Sequence, residues 1–500
     1  MNLFKKFIMV MRGIKLPSEK YIDVSLKNSH TIDVLESKVW YLGEKDGLID
    51  FYKKINRGDN SFWSTCTDDI DMKLCNTGLI KVVIDKLTDI VMSDMMAVKV
   101  NAGEYDELYS DIANLMEYDK IYKQGVKDAL ITGDGAFKIS MDNSISPYPI
   151  LEFYDALNVR YEYKYGILEK IIFIDTFTEN GVEYTLEQEY GFGYIRSYLY
   201  RGQSTNLIPL SSTEYTSNIM DIDLEDIGLD SNTRLAFKLS YTDSIKFKGR
   251  GTPLFYGKFD IADSLDEIIS IMNDVTRDSK PIKTIGEDAI PKTADGRLIR
   301  PNRANRLFIR TTGDEEGEKD SAPKVTQASI DYTGYLESYM TNLDLLLQGI
   351  ISPSTLGIDT KKLDNAEAQR EKEKATLYTR DNIINSLTPV LKNCIECLLQ
   401  VNDCLNSNSV GLYDVEVGFG QYANPSFEAQ VETISKGVSE GVLSFKTAVD
   451  ELHPDWSIER KEEEIVYLEN MFKAKNSSVS DIQSNETDNL NNETDKNLHI

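Results

Sequence analysis

The sequence predicts an α+β fold, because its hydrophobic residues follow two different spacings in separate stretches. From residue 79 to 91 apolar side chains recur at every third or fourth position, which is the period of an amphipathic helix. From residue 150 to 201 the period becomes two, and Tyr, Phe, Ile and Val dominate, as in half-buried strands. Asn180-Gly181 divides this second stretch, and Asn-Gly is the strongest short-range hairpin signal. An antiparallel sheet is therefore expected there, continuing weakly to residue 241.

The chain before this sheet is predicted to be mainly helical. Residues 1–59 carry mixed charge and weak periodicity, and we interpret them as an N-terminal arm with short helices. A further helix is expected from about residue 105 to 131, followed by a strand from 136 to 141. Gly133 and Gly135 lie between the two. Because they follow a helix and do not open one, we expect a turn there and not a phosphate-binding loop.

The chain after the sheet is organised around residues 331–403, whose pattern is a helix, a tight break and a longer helix. Gly349 and the run from Ser352 to Gly357 contain the proline and glycines that end helices. The chain restarts at Asp364, a residue type that caps helix N-termini. Pro389 lies within the second helix and is expected to kink it.

Another helix is expected from residue 254 to about 278, and the segment that follows it has a different composition. From residue 280 to 310, eight basic residues stand against three acidic ones, so this segment carries +5 in a chain whose net charge is −27. We expect short strands within it, and a solvated loop with balanced charges is the alternative. The residues that indicate strands are Leu298, Ile299, Leu307, Phe308 and Ile309.

The C-terminal part begins with a strand expected over residues 410–420, where apolar residues alternate with polar ones. This strand is expected to return to the sheet. Helical spacing then continues to about residue 471. From Ala474 onwards Asn, Ser, Asp and Glu dominate, and a disordered tail is expected.

Three short runs in the central stretch carry a resemblance to a known family. They are Ile351-Ser-Pro-Ser-Thr-Leu-Gly357, Asn365-Ala-Glu-Ala-Gln-Arg370-Glu and Thr376-Leu-Tyr-Thr-Arg380. Together they resemble the tunnel loop and kinked tunnel helix of tailed-bacteriophage portal proteins, most closely those of long-tailed phages of Gram-positive hosts. The order of elements resembles that family from about Asn60 to Phe472.

The resemblance implies a portal-type fold with an antiparallel wing sheet, long stem helices, a kinked tunnel helix, a small clip and a helical crown. The expected boundaries are an N-terminal arm at 1–59, an α+β wing at 60–250, stem helix 1 at 251–278, a clip at 279–328, stem helix 2 at 329–350, a tunnel loop at 351–364, a kinked tunnel helix at 365–403, a strand returning to the wing at 404–424, a helical crown at 425–473 and a disordered tail at 474–500.

The function implied by the resemblance is that of a portal subunit, which forms a ring-shaped channel at one capsid vertex. Viral double-stranded DNA is packaged and ejected through such a channel. Portal homologues form homo-oligomeric rings, usually dodecamers, and dock the terminase large subunit, a head-tail connector or adaptor protein, and the major capsid and scaffolding proteins. The chain would then belong to the virion and pass through the host cytoplasm during assembly. Neither a cofactor, nor a metal, nor a membrane partner is expected.

The resemblance also implies roles for particular residues. Lys361 and Lys362 of the tunnel loop would face DNA in the channel. In an alternative interpretation of equal weight, the two lysines form exposed ion pairs with Asp359 and Asp364, and such pairs contribute little to stability. The clip residues expected to dock partners are Arg297, Arg300, Arg303 and Arg306. The stem residues expected to pack against neighbouring subunits, because one chain cannot bury them, are Leu265, Ile268, Met272, Leu336, Tyr339 and Leu343.

Composition limits the classes of function. The net charge of −27 argues against a bulk nucleic-acid binder, because affinity for phosphates comes from Lys and Arg. An acidic wall would keep DNA from adhering while it moves through a channel. An equally good interpretation is that acidity keeps a large assembly soluble. Five cysteines argue against a disulfide scaffold, and no apolar run approaches the ~20 residues of a membrane span.

An enzyme is not expected. The chain has only three histidines and contains no nucleophile elbow, no H-E-x-x-H and no Walker motif. Two alternatives to the portal interpretation stay open. One is another structural or scaffold subunit of a virion or phage-like particle. The other is a metal-dependent hydrolase in which Asp68, Asp69 and Asp71 bind a cation through their oxygens.

Overall fold

The α+β class is confirmed, since helices and antiparallel sheets occur together along the chain. The structure, a computed structural model, describes residues 29–55, 74–142, 145–202, 206–279, 282–286, 294–295, 309–311, 324–326, 329–358, 366–420, 427–439, 441–453, 456, 460–468 and 470–471. The chain divides into two compact units, residues 1–420 and 421–500, and each is described by itself.

The first unit contains eight named helices within the described residues. They are α1 (His30–Leu42), α2 (Lys45–Ile55), α3 (Leu79–Ser93), α4 (Asp106–Met116), α5 (Tyr118–Thr132), α6 (Phe259–Asp278), α7 (Tyr332–Leu347) and α8 (Ala366–Leu405).

The strands that the structure describes in this unit are β1 (Lys99–Val100), β2 (Asp134–Ser140), β3 (Ile150–Asp155), β4 (Val159–Lys164), β5 (Ile167–Glu179), β6 (Val182–Gly191), β7 (Tyr194–Arg201), β8 (Leu207–Ile208), β9 (Ile222–Asp223), β10 (Ala236–Ser240), β11 (Ile282–Gly286), β12 (Ile309–Thr311), β13 (Lys324–Thr326) and β14 (Val415–Glu416). Most of them follow one another along the sequence, with β2 to β10 between α5 and α6 and β11 to β13 between α6 and α7.

The short helices expected in the N-terminal arm are confirmed for residues 30–55 as α1 and α2, and both helices belong to the hydrophobic core. Trp40 and Tyr52 are buried, and the Trp40 indole donates to the Tyr52 hydroxyl at 2.7 Å. The Trp40 ring also stacks on Phe259 of α6 at a centroid distance of 5.9 Å. This role was not predicted, because the buried positions of α1 include the charged residues Asp33 and Glu36, which weaken the apolar periodicity.

The helix expected over residues 105–131 is two helices, α4 and α5. Glu117 separates them with φ +54°, a left-handed conformation that ends α4. A residue other than glycine in this conformation carries no local sequence signal, so the break was not predicted. The helix over 79–91 is confirmed as α3, and the strand over 136–141 is confirmed as β2.

Two antiparallel sheets occupy the stretch where one was expected. The larger has the order β4-β5-β6-β7-β8, with β9 also paired to β7, and the smaller has the order β10-β2-β3. The predicted hairpin is confirmed, because Glu179 pairs with Val182 around a two-residue turn. Asn180 and Gly181 both have positive φ, as a type I′ turn requires.

A third, small sheet lies between α6 and α7 in the sequence. Its central strand β11 pairs in parallel with β12 and antiparallel with β13. The strand expected around Ile309 is thus confirmed. Leu298, Ile299, Leu307 and Phe308 lie outside the described residues.

The long helix α8 spans 40 residues and includes Pro389, so a single long helical element is confirmed. An apolar stripe along the second half of the helix is buried, formed by Ile383, Leu387, Leu391, Cys394, Ile395, Leu398 and Val401. The strand expected over 410–420 is much shorter, since only β14 forms there and pairs with β1. It therefore does not join the larger sheet. The reason is that β1 is itself two residues long and ends in a 3₁₀ turn at Asn101–Gly103.

A buried ion pair fixes the segment between strand β10 and helix α6. Arg250 lies 3.1 Å from the carboxylate of Asp134, which is wholly buried. The Arg250 guanidinium also donates to the Val159 carbonyl at 2.8 Å and to His30 Nε2 at 3.2 Å. Burial, and then the charge of Arg250, lower the pKa of His30 to about 3, so the imidazole is neutral and accepts this bond. The start of α1, both sheets and the approach to α6 therefore share one polar centre.

The second unit contains α9 (Phe427–Ser439), α10 (Phe445–Leu452) and helical residues 460–468. The Ser444 side chain accepts from the Thr447 amide and caps α10. Helices were expected throughout this stretch, and these are confirmed. The tail expected at 474–500 lies outside the described residues. Among the helices that the structure describes, none is long and apolar enough to cross a membrane.

Candidate functional site in the helix pair and the following loop

Helices α6 and α7 pack antiparallel, because the beginning of α6 lies against the end of α7. The ammonium of Lys258, the residue before α6, donates to the carbonyls of Leu345, Leu346 and Gln348 at 3.1, 2.9 and 2.6 Å. Carbonyls at a helix C-terminus lack partners inside the helix, and a cation there also interacts favourably with the helix dipole. Lys258 therefore joins the two helices at one end, which we call the base of the pair.

The apolar side chains near this base are buried within a single chain. Leu265 of α6 and Leu343 of α7 are each 0% exposed, and Leu346 and Leu347 are buried beside them. All four belong to the main hydrophobic core. The expectation that Leu265 and Leu343 form apolar surface that one chain cannot bury is therefore wrong. The physical reason is that the base of the pair packs against the core.

Exposure of the apolar side chains rises away from the base. Leu336, almost two turns before Leu343 on α7, is 60% exposed, and Tyr332 at the start of the helix is 53% exposed. Ile268 and Met272 of α6 and Tyr339 of α7 are half-buried. These remaining members of the predicted stripe are thus only partly covered in a single chain.

One acidic side chain of α6 is buried and hydrogen bonded to the segment before α3. Asp266 of α6 accepts from the Thr77 amide at 2.8 Å, from the Thr77 hydroxyl at 2.9 Å and from the Asn76 side chain at 2.8 Å. Burial raises the pKa of Asp266 to about 7, the bonds from Thr77 oppose this, and the neighbouring charge of Asp263 adds to it. The carboxylate therefore fastens the segment before α3 to α6 in a manner that depends on pH.

The loop after α7 is fixed to α8 at its first residues. The Ser352 amide donates to the hydroxyl of Thr376, a wholly buried residue of α8, at 2.8 Å. Ile351 is buried beside this bond. A 3₁₀ turn, Pro353–Leu356, follows and ends at Gly357 with φ +72°. The break predicted between the two helices is therefore confirmed, and the first residues of the loop are held against α8.

Arg380 fastens the first half of α8 to two other parts of the chain. The Arg380 side chain is 7% exposed and lies 2.9 Å from the carboxylate of Asp94, just after α3. It also donates to the Gly420 carbonyl and to Asp381. Because the guanidinium presents its donors in a planar fork, one side chain can satisfy several acceptors. Tyr378, two residues earlier, is 71% exposed, so at this point one face of α8 is buried and another faces solvent.

The other predicted site residues lie outside the described residues. These are the tunnel-loop lysines, Lys361 and Lys362, and the clip arginines, Arg297, Arg300, Arg303 and Arg306. Asp68, Asp69 and Asp71 lie outside them as well. Their roles stay predictions.

In the part of the chain that the structure describes, no group of three or more His, Cys, Asp or Glu is placed to hold a metal ion. Cys394 and Cys397 are free thiols buried in α8, and burial raises the pKa of both. A buried thiol with a raised pKa stays protonated and serves as a small apolar group in the core.

Lys258, Asp266, Thr376 and Arg380 support this arrangement, and sequence reasoning assigned a role to none of them. Thr376 and Arg380 fell within the run that carried the family resemblance, which was their only signal. Lys258 immediately precedes a helix, where a cation is unfavourable for that helix. Its partner is the end of a different helix, 87 to 90 residues further on, which no local pattern reveals.

Neither a family model nor a curated protein matches the chain.

Replacing Lys258 by Met should destabilise the first unit, because three carbonyls at the end of α7 would lose a charged donor. The expected loss in free energy of unfolding is about 1–2 kcal/mol. Urea unfolding followed by circular dichroism would measure it. Lys248→Met, at an exposed position, is the control and should unfold like the unsubstituted chain. Equal losses for the two variants would refute the role given to Lys258.

The raised pKa of Asp266 predicts a dependence of stability on pH. Stability from the neutral carboxyl is complete below its ordinary pKa of 3.8 and is lost as pH rises through about 7. Between pH 5 and pH 8 the unsubstituted chain should therefore lose about 2 kcal/mol relative to Asp266→Asn, which cannot ionise. Unfolding at both pH values gives the difference. Asp260→Asn, exposed on the same helix, should keep the original pH dependence, and parallel curves for all three proteins would contradict the prediction.

Proposed function

We propose that this protein is a portal subunit, one copy of a ring whose central channel passes double-stranded viral DNA at a capsid vertex. The observation that supports it most is the order of elements around the candidate site. A helix leads into a small sheet, an antiparallel helix returns to the core, a fixed loop follows, and a 40-residue helix containing Pro389 completes the series. This is the order expected for stem, clip, tunnel loop and tunnel helix.

The helix pair also supplies a surface suited to ring formation. The pair is joined at its base, where Leu265 and Leu343 are buried, while Leu336 and Tyr332 towards its other end are 60 and 53% exposed. Exposed apolar residues grouped on one element are typical of an interaction surface. In a ring, one face of each subunit packs against a different face of the next, so such a surface is covered by a neighbour in every copy.

The charge of the chain fits transport of DNA better than binding of DNA. With 82 acidic and 55 basic residues, the assembled ring would repel the phosphate backbone over most of its surface. In this proposal the basic segment 280–310 serves as the docking surface for the terminase and the connector protein. The tunnel-loop lysines would touch phosphates only transiently, because isolated, salt-screened contacts contribute little each.

Leu336→Asp tests the assembly surface. In a single chain the side chain is 60% exposed, so the substitution should leave the fold intact. In a ring it should remove burial worth about 1–3 kcal/mol at every interface and add an unpaired charge. We expect the unsubstituted protein to elute as one large assembly, and the variant to elute mainly as single chains. Size-exclusion chromatography with light scattering would give both masses.

Ile245→Asp is the matched control, because Ile245 is fully exposed and lies outside the helix pair. It should assemble like the unsubstituted protein. Assemblies of unchanged mass from Leu336→Asp would show that the ring contact lies elsewhere. A protein that stays a single chain at all concentrations would refute the ring itself and favour another kind of virion subunit.

A further inference from the structure

The turn between β4 and β5 presents an aromatic side chain that its own chain does not cover. Lys164 pairs with Ile167 around the two-residue turn Tyr165-Gly166. Tyr165 is 95% exposed and Ile167 is 68% exposed, so neither side chain is stabilised much by burial within the chain. Residues 163–167 therefore form an apolar projection, which we call the tip.

The backbone of the tip is unfavourable for a tyrosine. Tyr165 has φ +53° and Gly166 has φ +85°, as a type I′ turn requires. This left-handed conformation suits glycine and asparagine, and for a bulky residue it is rare and strained. The next hairpin of the same sheet has the favourable pair Asn180-Gly181 in its turn. The fold of a single chain thus gives no reason for tyrosine at position 165, whereas a contact outside the chain does, because tyrosine is a common anchor of protein interfaces.

A neighbouring turn holds the tip in place. The Tyr163 hydroxyl donates to the Gly249 carbonyl at 3.1 Å, and the Lys238 ammonium donates to the same carbonyl at 2.9 Å. A Cβ on Gly249 would lie only 2.4 Å from the Tyr163 ring, so the two segments are in close contact. Tyr165 therefore projects from a fixed support, which reduces the entropy lost when the tip binds a partner.

A groove of about 1080 Å³ in the same unit has complementary chemistry. It lies between the end of α3 and the helices α4 and α5, and Met92, Met95 and Met96 line it. Met96 is 57% exposed, so these side chains are open to solvent. Thioethers adapt their shape and make favourable contacts with aromatic rings. Pockets of this size hold drug-sized ligands, so the groove has room for a tyrosine and its neighbours.

The rim of the groove supplies hydrogen-bond acceptors. Five carboxylates line it against one amine, Lys123, which gives a net charge of −4. Lys123 pairs with Asp89 at 2.7 Å, and the Asp106 carboxylate accepts from the Val100 amide at 2.6 Å. The other three carboxylates form no ion pair with another residue that the structure describes. These three are Glu107, Asp111 and Asp119.

The tip supplies the matching donors. Tyr165 carries a hydroxyl beyond its apolar ring, and Lys164 beside it carries an ammonium. Lys164 lies 3.8 Å from Glu169, and both side chains are largely exposed, so this pair contributes little and does not hold the ammonium. Because the tip and the groove are both exposed in the same folded chain, they do not contact each other there. A second copy of the chain is needed to bring them together.

We propose that the tip of one copy inserts into the groove of the next copy. Tyr165 packs on the methionines, and its hydroxyl and the Lys164 ammonium meet the three carboxylates of the rim. The contact joins two different surfaces, so each copy offers a tip to one neighbour and a groove to the other, as a ring requires. This inference rests on the proposed ring and adds to it a second contact between neighbours, apart from the helix pair.

Photo-crosslinking of the full-length protein tests the contact directly. With p-benzoylphenylalanine in place of Tyr165, irradiation should produce species of twice the chain mass on a denaturing gel. Mass spectrometry should place the adduct on Met92, Met95 or Met96 of the second copy. The same photoreactive residue in place of Tyr215, which is 61% exposed outside the tip and the groove, is the control and should give no adduct on these methionines.

Tyr165→Asn separates the contact from the stability of the chain. Asparagine adopts positive φ more readily, so the melting temperature, measured at a dilution where the chains are single, should stay equal or rise. The concentration at which half the chains are assembled should nevertheless rise about ten-fold or more, because an aromatic anchor is lost. Met220→Asn, at a position 77% exposed elsewhere, should leave that concentration unchanged.

The charges of the rim give an independent comparison. Glu107→Lys with Asp111→Lys should also raise the concentration for half assembly, whereas Glu225→Lys with Asp226→Lys, at exposed positions outside the groove, should not. Adducts on another surface of the second copy, or rings that form without any adduct and tolerate Tyr165→Asn, would overturn this inference and leave the ring standing. Protein that stays a single chain at all concentrations would overturn both.

Discussion

The constraint on which the rest of the structure depends is that the antiparallel helices α6 and α7 can be buried at one end only. At that end Lys258 joins them through three carbonyls, and Leu265, Leu343, Leu346 and Leu347 enter the core. Further along the pair the core no longer reaches, so Ile268, Met272 and Tyr339 are half-buried and Leu336 is mostly exposed. The apolar side chains beyond the base are therefore only partly covered in a single chain, and in the proposed ring a neighbouring subunit would cover them.

Contacts around the helix pair fix the positions of the following loop and of the long helix α8. Ser352 is held by Thr376, and Arg380 connects α8 to Asp94 and to the Gly420 carbonyl. The approach to α6 is fixed in turn by the buried pair of Arg250 and Asp134. These are polar bonds in buried surroundings, where leaving a partner unpaired is costly, and they therefore specify one arrangement. In the proposed ring, a subunit that fits identical neighbours on two different faces would require such a defined arrangement.

Local signals in the sequence predicted most helices and strands. The burial of particular side chains depends on contacts between residues that are distant in sequence, and it could not be predicted. Asn180-Gly181 identified a hairpin because both residues adopt positive φ, and the Pro and Gly residues between 349 and 357 identified the break that separates α7 from the long helix α8. Glu117 ends a helix with no such signal. The burial of Leu265 and Leu343 depends on which parts of the helix pair meet the core, and an amphipathic stripe looks the same in either case. Lys258 and Arg380 have partners far away in sequence, so their roles follow only from the three-dimensional structure.

The central claim is that copies of this chain close into a ring around a channel, with the helix pairs at the contacts between neighbours. Electron microscopy of the purified full-length protein tests it most directly, because class averages viewed along the axis show both the symmetry and the opening. We expect particles with rotational symmetry and a central hole, each made of many copies. Particles that are uniformly single chains, or closed assemblies with no opening along any axis, would contradict it.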